Sequence, residues 1–141
     1  MAKHRIAYIS REDRDTTLVE EGLSGIDYDL AFSVPASQGE TIEAVKGADL
    51  VIDMRVPMPR PVIEQLDAAQ GIVSHGIGFD EIDARAAAER GIMVANCAGF
   101  CTEEMSNHTI MMILACARRL VESDGLIRSG GWVGRKTQVG P

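Results

Sequence analysis

Three stretches of this sequence carry residues whose type and spacing suit chemistry. The first is Ser74–Asp83, SHGIGFDEID, where Gly76 and Gly78 follow an apolar run and precede a helical pattern. A dinucleotide loop needs Gly-x-Gly-x-x-Gly between strand and helix. Its glycines tighten the turn, admit the pyrophosphate and let helix and strand pack closely. Here the third place is Glu81, whose side chain obstructs that packing and whose charge repels phosphate. The stretch is therefore not a dinucleotide fingerprint. Its backbone N–H groups still suit a smaller anion such as a carboxylate, although a plain turn would use the same two glycines. The second stretch is Asp49–Pro57, DLVIDMRVP. Arg55 can pair bidentately with a carboxylate, or simply be a solvated loop arginine. The third is Cys97, Cys101 and His108. A tetrahedral metal site needs a fourth ligand, and none is offered, so no metal is expected and local packing explains these residues.

The elements that position these loops follow from the apolar pattern. Short β-rich runs at Arg5–Ser10, Asp27–Ser33, Asp49–Met54, Gly71–His75 and Ile92–Asn96 alternate with helical runs at Asp15–Leu23, Gly39–Lys46, Pro59–Ala69 and Glu81–Arg90. Parallel strands need crossovers, and alternation of this kind predicts them. The expectation is an α/β fold: a flavodoxin-like five-stranded parallel sheet of order 2-1-3-4-5 with helices on both faces. In such a sheet, ligands bind beyond the carboxyl ends of the strands, where all three stretches lie. From Thr102 to Ile127 the pattern reads as one long apolar helix, capped by Thr102 and opened by Glu103 and Glu104. Its centre, Ile110–Ala117, is apolar on nearly every face and predicts burial against another domain or subunit.

Composition narrows the functional classes. The 141 residues carry a net charge of −7, and aromatics make up only 4%, so Ile, Val, Leu, Met and Ala must build the core. Nucleic-acid binders show a basic footprint. Arg118-Arg119 and Arg135-Lys136 are isolated pairs, and no nucleic acid is expected. There is no apolar run of membrane-spanning length and no signal-peptide pattern. A cytoplasmic protein with reduced thiols is the expectation.

Asp53 looks like the phospho-acceptor of response-regulator receiver domains, with Glu12, Asp13 and Ser74 as passable partners. That pattern fails after the fifth strand, where Asn96, Cys97, Ala98 and Gly99 offer no lysine. A closer likeness runs from Gly71 to Trp132 and extends more loosely over Arg5–Leu66. The segment GIGFDEIDARAAAERGIMVANCAGFCTEEMSNHTIMMILACARRL resembles the N-terminal half of the D-isomer-specific 2-hydroxyacid dehydrogenases, the family of phosphoglycerate dehydrogenase and the C-terminal-binding proteins. Gly76, Gly78, Asp80, Ile82, Asp83, Gly91, Ile92, Val94, Asn96, His108, Arg118 and Arg119 match the family pattern as they stand. Ala98, where a proline is usual, and Cys101, at a common asparagine position, depart from it.

The resemblance implies a substrate domain over 1–100, a linking and dimerisation helix over 101–128, and a loop over 129–141 that leads to an NAD-binding Rossmann domain outside this sequence. It implies that the substrate carboxylate meets the amides of Gly76, Ile77 and Gly78, with Met54, Arg55 and Val56 forming a second substrate loop. Ile77 and Thr102 would approach the nicotinamide end of NAD or NADP. The family's catalytic Arg, Glu and His would lie further on, so no residue here is assigned as catalytic. The expected activity of the whole enzyme is hydride transfer between NAD(H) and a 2-hydroxy or 2-keto acid. By itself the chain is expected to be inactive and to dimerise through the 102–127 helix. A stand-alone small-molecule binding or regulatory domain of the same fold is the alternative.

Overall fold

The computed structural model describes residues 3–132. The chain divides after Ala98 into two units. The first holds strands β1 (His4–Ser10), β2 (Tyr28–Ser33), β3 (Leu50–Met54), β4 (Gly71–Ser74) and β5 (Met93–Asn96). Helices α1 (Thr17–Gly22), α2 (Gln38–Val45), α3 (Arg60–Ile63) and α4 (Ala84–Glu89) connect them. All pairings are parallel, in the order β2-β1-β3-β4-β5, as the alternation predicted.

Strand alternation decides what each face carries. Ala7, Ile9, Val51 and Ile72 point to one face and pack with Val45 of α2, Val62 and Ile63 of α3, and Ala86 and Ala87 of α4. Each large aliphatic side chain buried there contributes about 1.5–3 kcal/mol. On the opposite face, Ile6 and Leu50 line a cavity of 360 Å³ with Leu23 and Ile26, at the end of α1.

Three helices are shorter than the pattern suggested, the first of them α1, which keeps Thr17–Gly22 of Asp15–Leu23. The run Pro59–Ala69 keeps only Arg60–Ile63 as helix. Leu66 must reach the core, and the Gln70 N–H already bonds the Asp49 carbonyl at 2.9 Å on the way into β4. The helix expected from Glu81 starts at Ala84, capped by Asp83, whose carboxylate accepts the Ala86 N–H at 2.8 Å. Before it, Asp80 and Glu81 form a turn closed by the Ile82 N–H on the Phe79 carbonyl at 3.0 Å, and Ile82 forms a parallel bridge with Met58.

In the second unit the single long helix expected over Thr102–Ile127 is two helices, α5 (Thr102–Ala117) and α6 (Leu120–Arg128). Arg119 stands between them in the left-handed region, at φ 49° and ψ 47°. The break has a hydrogen-bond cause. The Arg119 N–H closes a tight turn on the Cys116 carbonyl, and the Ser123 N–H restarts the ladder on the Arg119 carbonyl. Thr102 is the first helical residue and Cys101 the cap, so the Thr102 hydroxyl caps nothing and donates to the Gly99 carbonyl at 3.2 Å. No residue of α5 is buried, and Ile110, Met111, Ile113 and Leu114 are all more than half exposed.

Candidate functional site

β3 and β4 are neighbours, so the loops that leave their carboxyl ends lie side by side. The Met58–Ile82 bridge joins them further along. The Met58 N–H bonds the Glu81 carbonyl at 2.8 Å, and the Asp83 N–H bonds the Met58 carbonyl at 3.0 Å. Met54, Arg55 and Val56 are thereby brought to the same edge as Gly76, Ile77 and Gly78. Thr102 belongs to the second unit.

The loop after β4 is held by its carbonyls. Gly76 O accepts the Cys97 N–H at 2.9 Å, Ile77 O accepts the Asn96 side-chain amide at 2.7 Å, and Gly78 O accepts the Ser74 hydroxyl at 2.6 Å. The N–H groups of Gly76, Ile77 and Gly78 have no acceptor among the described residues. Burying such donors without a partner is costly. Here they are left to solvent or to a ligand, since Ile77 and Gly78 are exposed. Neither glycine is required by the fold. Their φ values are not positive, and an added Cβ would meet nothing within 4 Å at Gly76 and only Asp80 Oδ2, at 3.8 Å, at Gly78. The open space above the loop is what glycine preserves.

The loop after β3 is built differently. Asp53 is 1% exposed, and its Oδ1 accepts the Val56 N–H at 2.9 Å. Burial pushes its carboxyl up to about 7, helped by the nearby Glu81 and opposed by the Val56 and Arg55 N–H groups and by Arg11. A buried acid spent on its own turn is not an accessible phospho-acceptor, and the receiver pattern has no counterpart here. Val56 turns its side chain into the core, whereas Arg55 is exposed, at φ 62°. The Arg55 guanidinium has no ion pair among the described residues, and the same holds for Arg11 at the end of β1. In a chain of net charge −7, cations at this edge favour an anionic ligand.

One pair at this edge escaped the reading of the sequence. The Tyr8 hydroxyl lies 3.0 Å from His75 Nδ1, with Tyr8 buried within β1 and His75 exposed beside Gly76. Burial raises the Tyr8 hydroxyl above its usual range. The only available signal was that strand alternation puts Tyr8 and His75 on the same face of the sheet. Cys97 is engaged locally, its thiol 3.6 Å from the Ser74 carbonyl. Among the described residues no three His, Cys, Asp or Glu side chains converge as a metal site, and no helix is long and apolar enough to cross a membrane.

The sheet order, and loops gathered at its carboxyl edge, define an α/β chain of flavodoxin-like architecture. Residues 6–139 match the model of the D-isomer specific 2-hydroxyacid dehydrogenase catalytic domain, and the chain belongs to that family. It is 30% identical over 131 residues to the glyoxylate reductase of Korarchaeum cryptofilum, covering 89% of this chain and 38% of that protein. It is 31% identical over 128 residues to the D-3-phosphoglycerate dehydrogenase of Archaeoglobus fulgidus, covering 84% of this chain and 24% of that one. The chain thus spans well under half the length of these curated relatives. The PH0520 protein from Pyrococcus horikoshii superposes with a TM-score of 0.77 at 22% identity, over 97% of this chain and 40% of that one, which shows a shared fold.

Proposed function

We propose that this chain is the substrate-binding part of a cytoplasmic, NAD- or NADP-dependent oxidoreductase acting on a small 2-hydroxy or 2-keto acid. The observation that carries the reading is the loop at Gly76–Gly78, with three carbonyls tied back to the protein and three N–H groups without an acceptor among the described residues. Donors held in place before the ligand arrives bind an anion without reorganisation. In this reading the amides of Gly76, Ile77 and Gly78 take one face of the substrate carboxylate and the Arg55 guanidinium the other. Val56 anchors the second loop through its buried side chain and its bond to Asp53. A small 2-hydroxy or 2-keto acid is the expected ligand of this edge.

The nicotinamide cofactor, when bound, exchanges a hydride with C2 of the acid. The chain carries no dinucleotide fingerprint, and in this reading a separate nucleotide domain holds most of the cofactor. Ile77, exposed and apolar, suits contact with the nicotinamide ring, and Thr102 would lie at the start of the helix nearest it. The domain plan is 1–100 for substrate, 101–128 for linkage and 129–141 leading onward; residues 133–141 of the last segment lie outside the described residues. Homodimerisation through 102–127 is part of the same reading, supported by the exposed Ile110, Met111, Ile113 and Leu114.

The test is a titration of the ¹⁵N-labelled chain with glycolate, a stable 2-hydroxy acid. Shifts centred on the amides of Gly76, Ile77 and Gly78 are expected. Shifts elsewhere, or none, would remove the reading. Sedimentation showing a monomer at high concentration would remove the dimer.

A further inference from the structure

We propose that Asp53 is the positioning residue for Arg55: by accepting the Val56 N–H, it holds Arg55 in a left-handed turn that puts the guanidinium at the ligand edge. The inference rests on the reading of Arg55 as a carboxylate ligand and deepens it.

The geometry follows from strand parity. In an extended chain, residues two apart share a face. Asp53 points to the core face of β3, so an uninterrupted strand would send Arg55 the same way and bury its charge. The structure shows otherwise. Asp53 and Val56 are buried and Arg55 is exposed between them. The switch occurs at one residue, because Arg55 alone in this loop has a positive φ, 62°. A residue other than glycine is held there only when its surroundings fix it. The fixing contact is the 2.9 Å bond from Val56 N to Asp53 Oδ1, an Asp side chain bonding its own backbone three residues on. Asp53 is not a group for the ligand to touch, since it is fully buried. It acts through Arg55.

The experiment is a double-substitution cycle read as the glycolate affinity of the labelled chain. Arg55→Ala is expected to weaken binding at least about tenfold, the low end for a charge-assisted hydrogen bond. Asp53→Ala is expected to weaken it by a similar factor and to add nothing in the Arg55→Ala background. Asp53→Asn keeps an acceptor for the Val56 N–H and is expected to restore most of the affinity. A loss from Asp53→Ala that is undiminished in the Arg55→Ala background would overturn the proposal, because a general structural defect adds. Weakening by Arg55→Ala with none by Asp53→Ala overturns the proposal alone. No effect of Arg55→Ala removes the reading on which it stands, and the proposal with it. One measurement needs no variant: the HN–Hα coupling and Cα shift of Arg55 in the wild-type chain report its φ. A left-handed value supports the proposal, and an extended Arg55 overturns it.

Discussion

Replacing Asp53 with asparagine should stabilise the protein at pH 8 and change little at pH 4. Burial moves the Asp53 carboxyl from the ordinary 3.8 to about 7. Between those values the folded chain keeps a proton that the unfolded chain has released. Stability therefore falls as pH rises from about 4 to about 7, and is level above that. A displacement of about three in pKa, at about 1.4 kcal/mol each, sets a ceiling of about 4 kcal/mol on this loss. Asparagine carries no charge to bury, and its side-chain oxygen can still accept the Val56 N–H. It gives back part of the gain because a neutral acceptor bonds more weakly than a carboxylate. A gain of about 2–3 kcal/mol at pH 8 is the expectation. Urea denaturation of both proteins at whole pH values from 4 to 8, at constant ionic strength, measures it. Titrating groups that do not interact with Asp53 cancel in the difference between the two curves. A difference that stays flat across this window, or an asparagine variant weaker at pH 8, would refute the reasoning. The carboxylate would then be stabilised by its turn rather than penalised by its burial.

Three further outcomes follow from contacts described above. Gly76→Ala and Gly78→Ala should leave thermal stability unchanged or raise it by up to about 1 kcal/mol, because φ and space both admit a methyl group. The same variants should weaken glycolate binding about tenfold, read by amide titration, and a loss of fold instead would show the glycines to be structural. Arg119→Gly should stabilise the α5–α6 junction by about 1 kcal/mol in urea, since glycine adopts φ 49° without the steric cost. A net loss would mean that the Arg119–Glu122 ion pair outweighs the backbone cost. Tyr8→Phe should cost about 1 kcal/mol and move the His75 Nδ1 resonance in ¹⁵N spectra. An unmoved resonance would mean that the bond is not made in solution.

The fold was largely legible because its signals are local. Five β-rich runs separated by helical ones leave few topologies, and the predicted order is the one observed. One misreading comes from pairing between residues distant in sequence. Nothing near Glu81 announces that Ile82 will bridge Met58, so the helical pattern was extended three residues too early. The break at Arg119 was hidden for another reason. Arg-Arg-Leu has good helix propensity, and no glycine or proline marks the turn. At the candidate site the glycine loop could be read from its composition. Asp53 could not, because the bond that spends its carboxylate on the Val56 N–H comes with the left-handed turn at Arg55, which no glycine marks. The Tyr8–His75 bond spans 67 residues, and strand order shows only that the two share a face, not that their side chains meet.

The pinned carbonyls of Gly76, Ile77 and Gly78 also bear on how motion in this loop would be measured. Backbone amides exchange their hydrogens with water when no acceptor shields them, whether or not the chain around them moves. This loop should therefore exchange at nearly the rate of an unfolded peptide while its relaxation order parameters match those of the adjoining strands. Exchange alone would mark it as the loosest part of the sheet edge. Its three carbonyl anchors tie it to β4 and to the end of β5, and a bound carboxylate is expected to slow the exchange without stiffening the loop further.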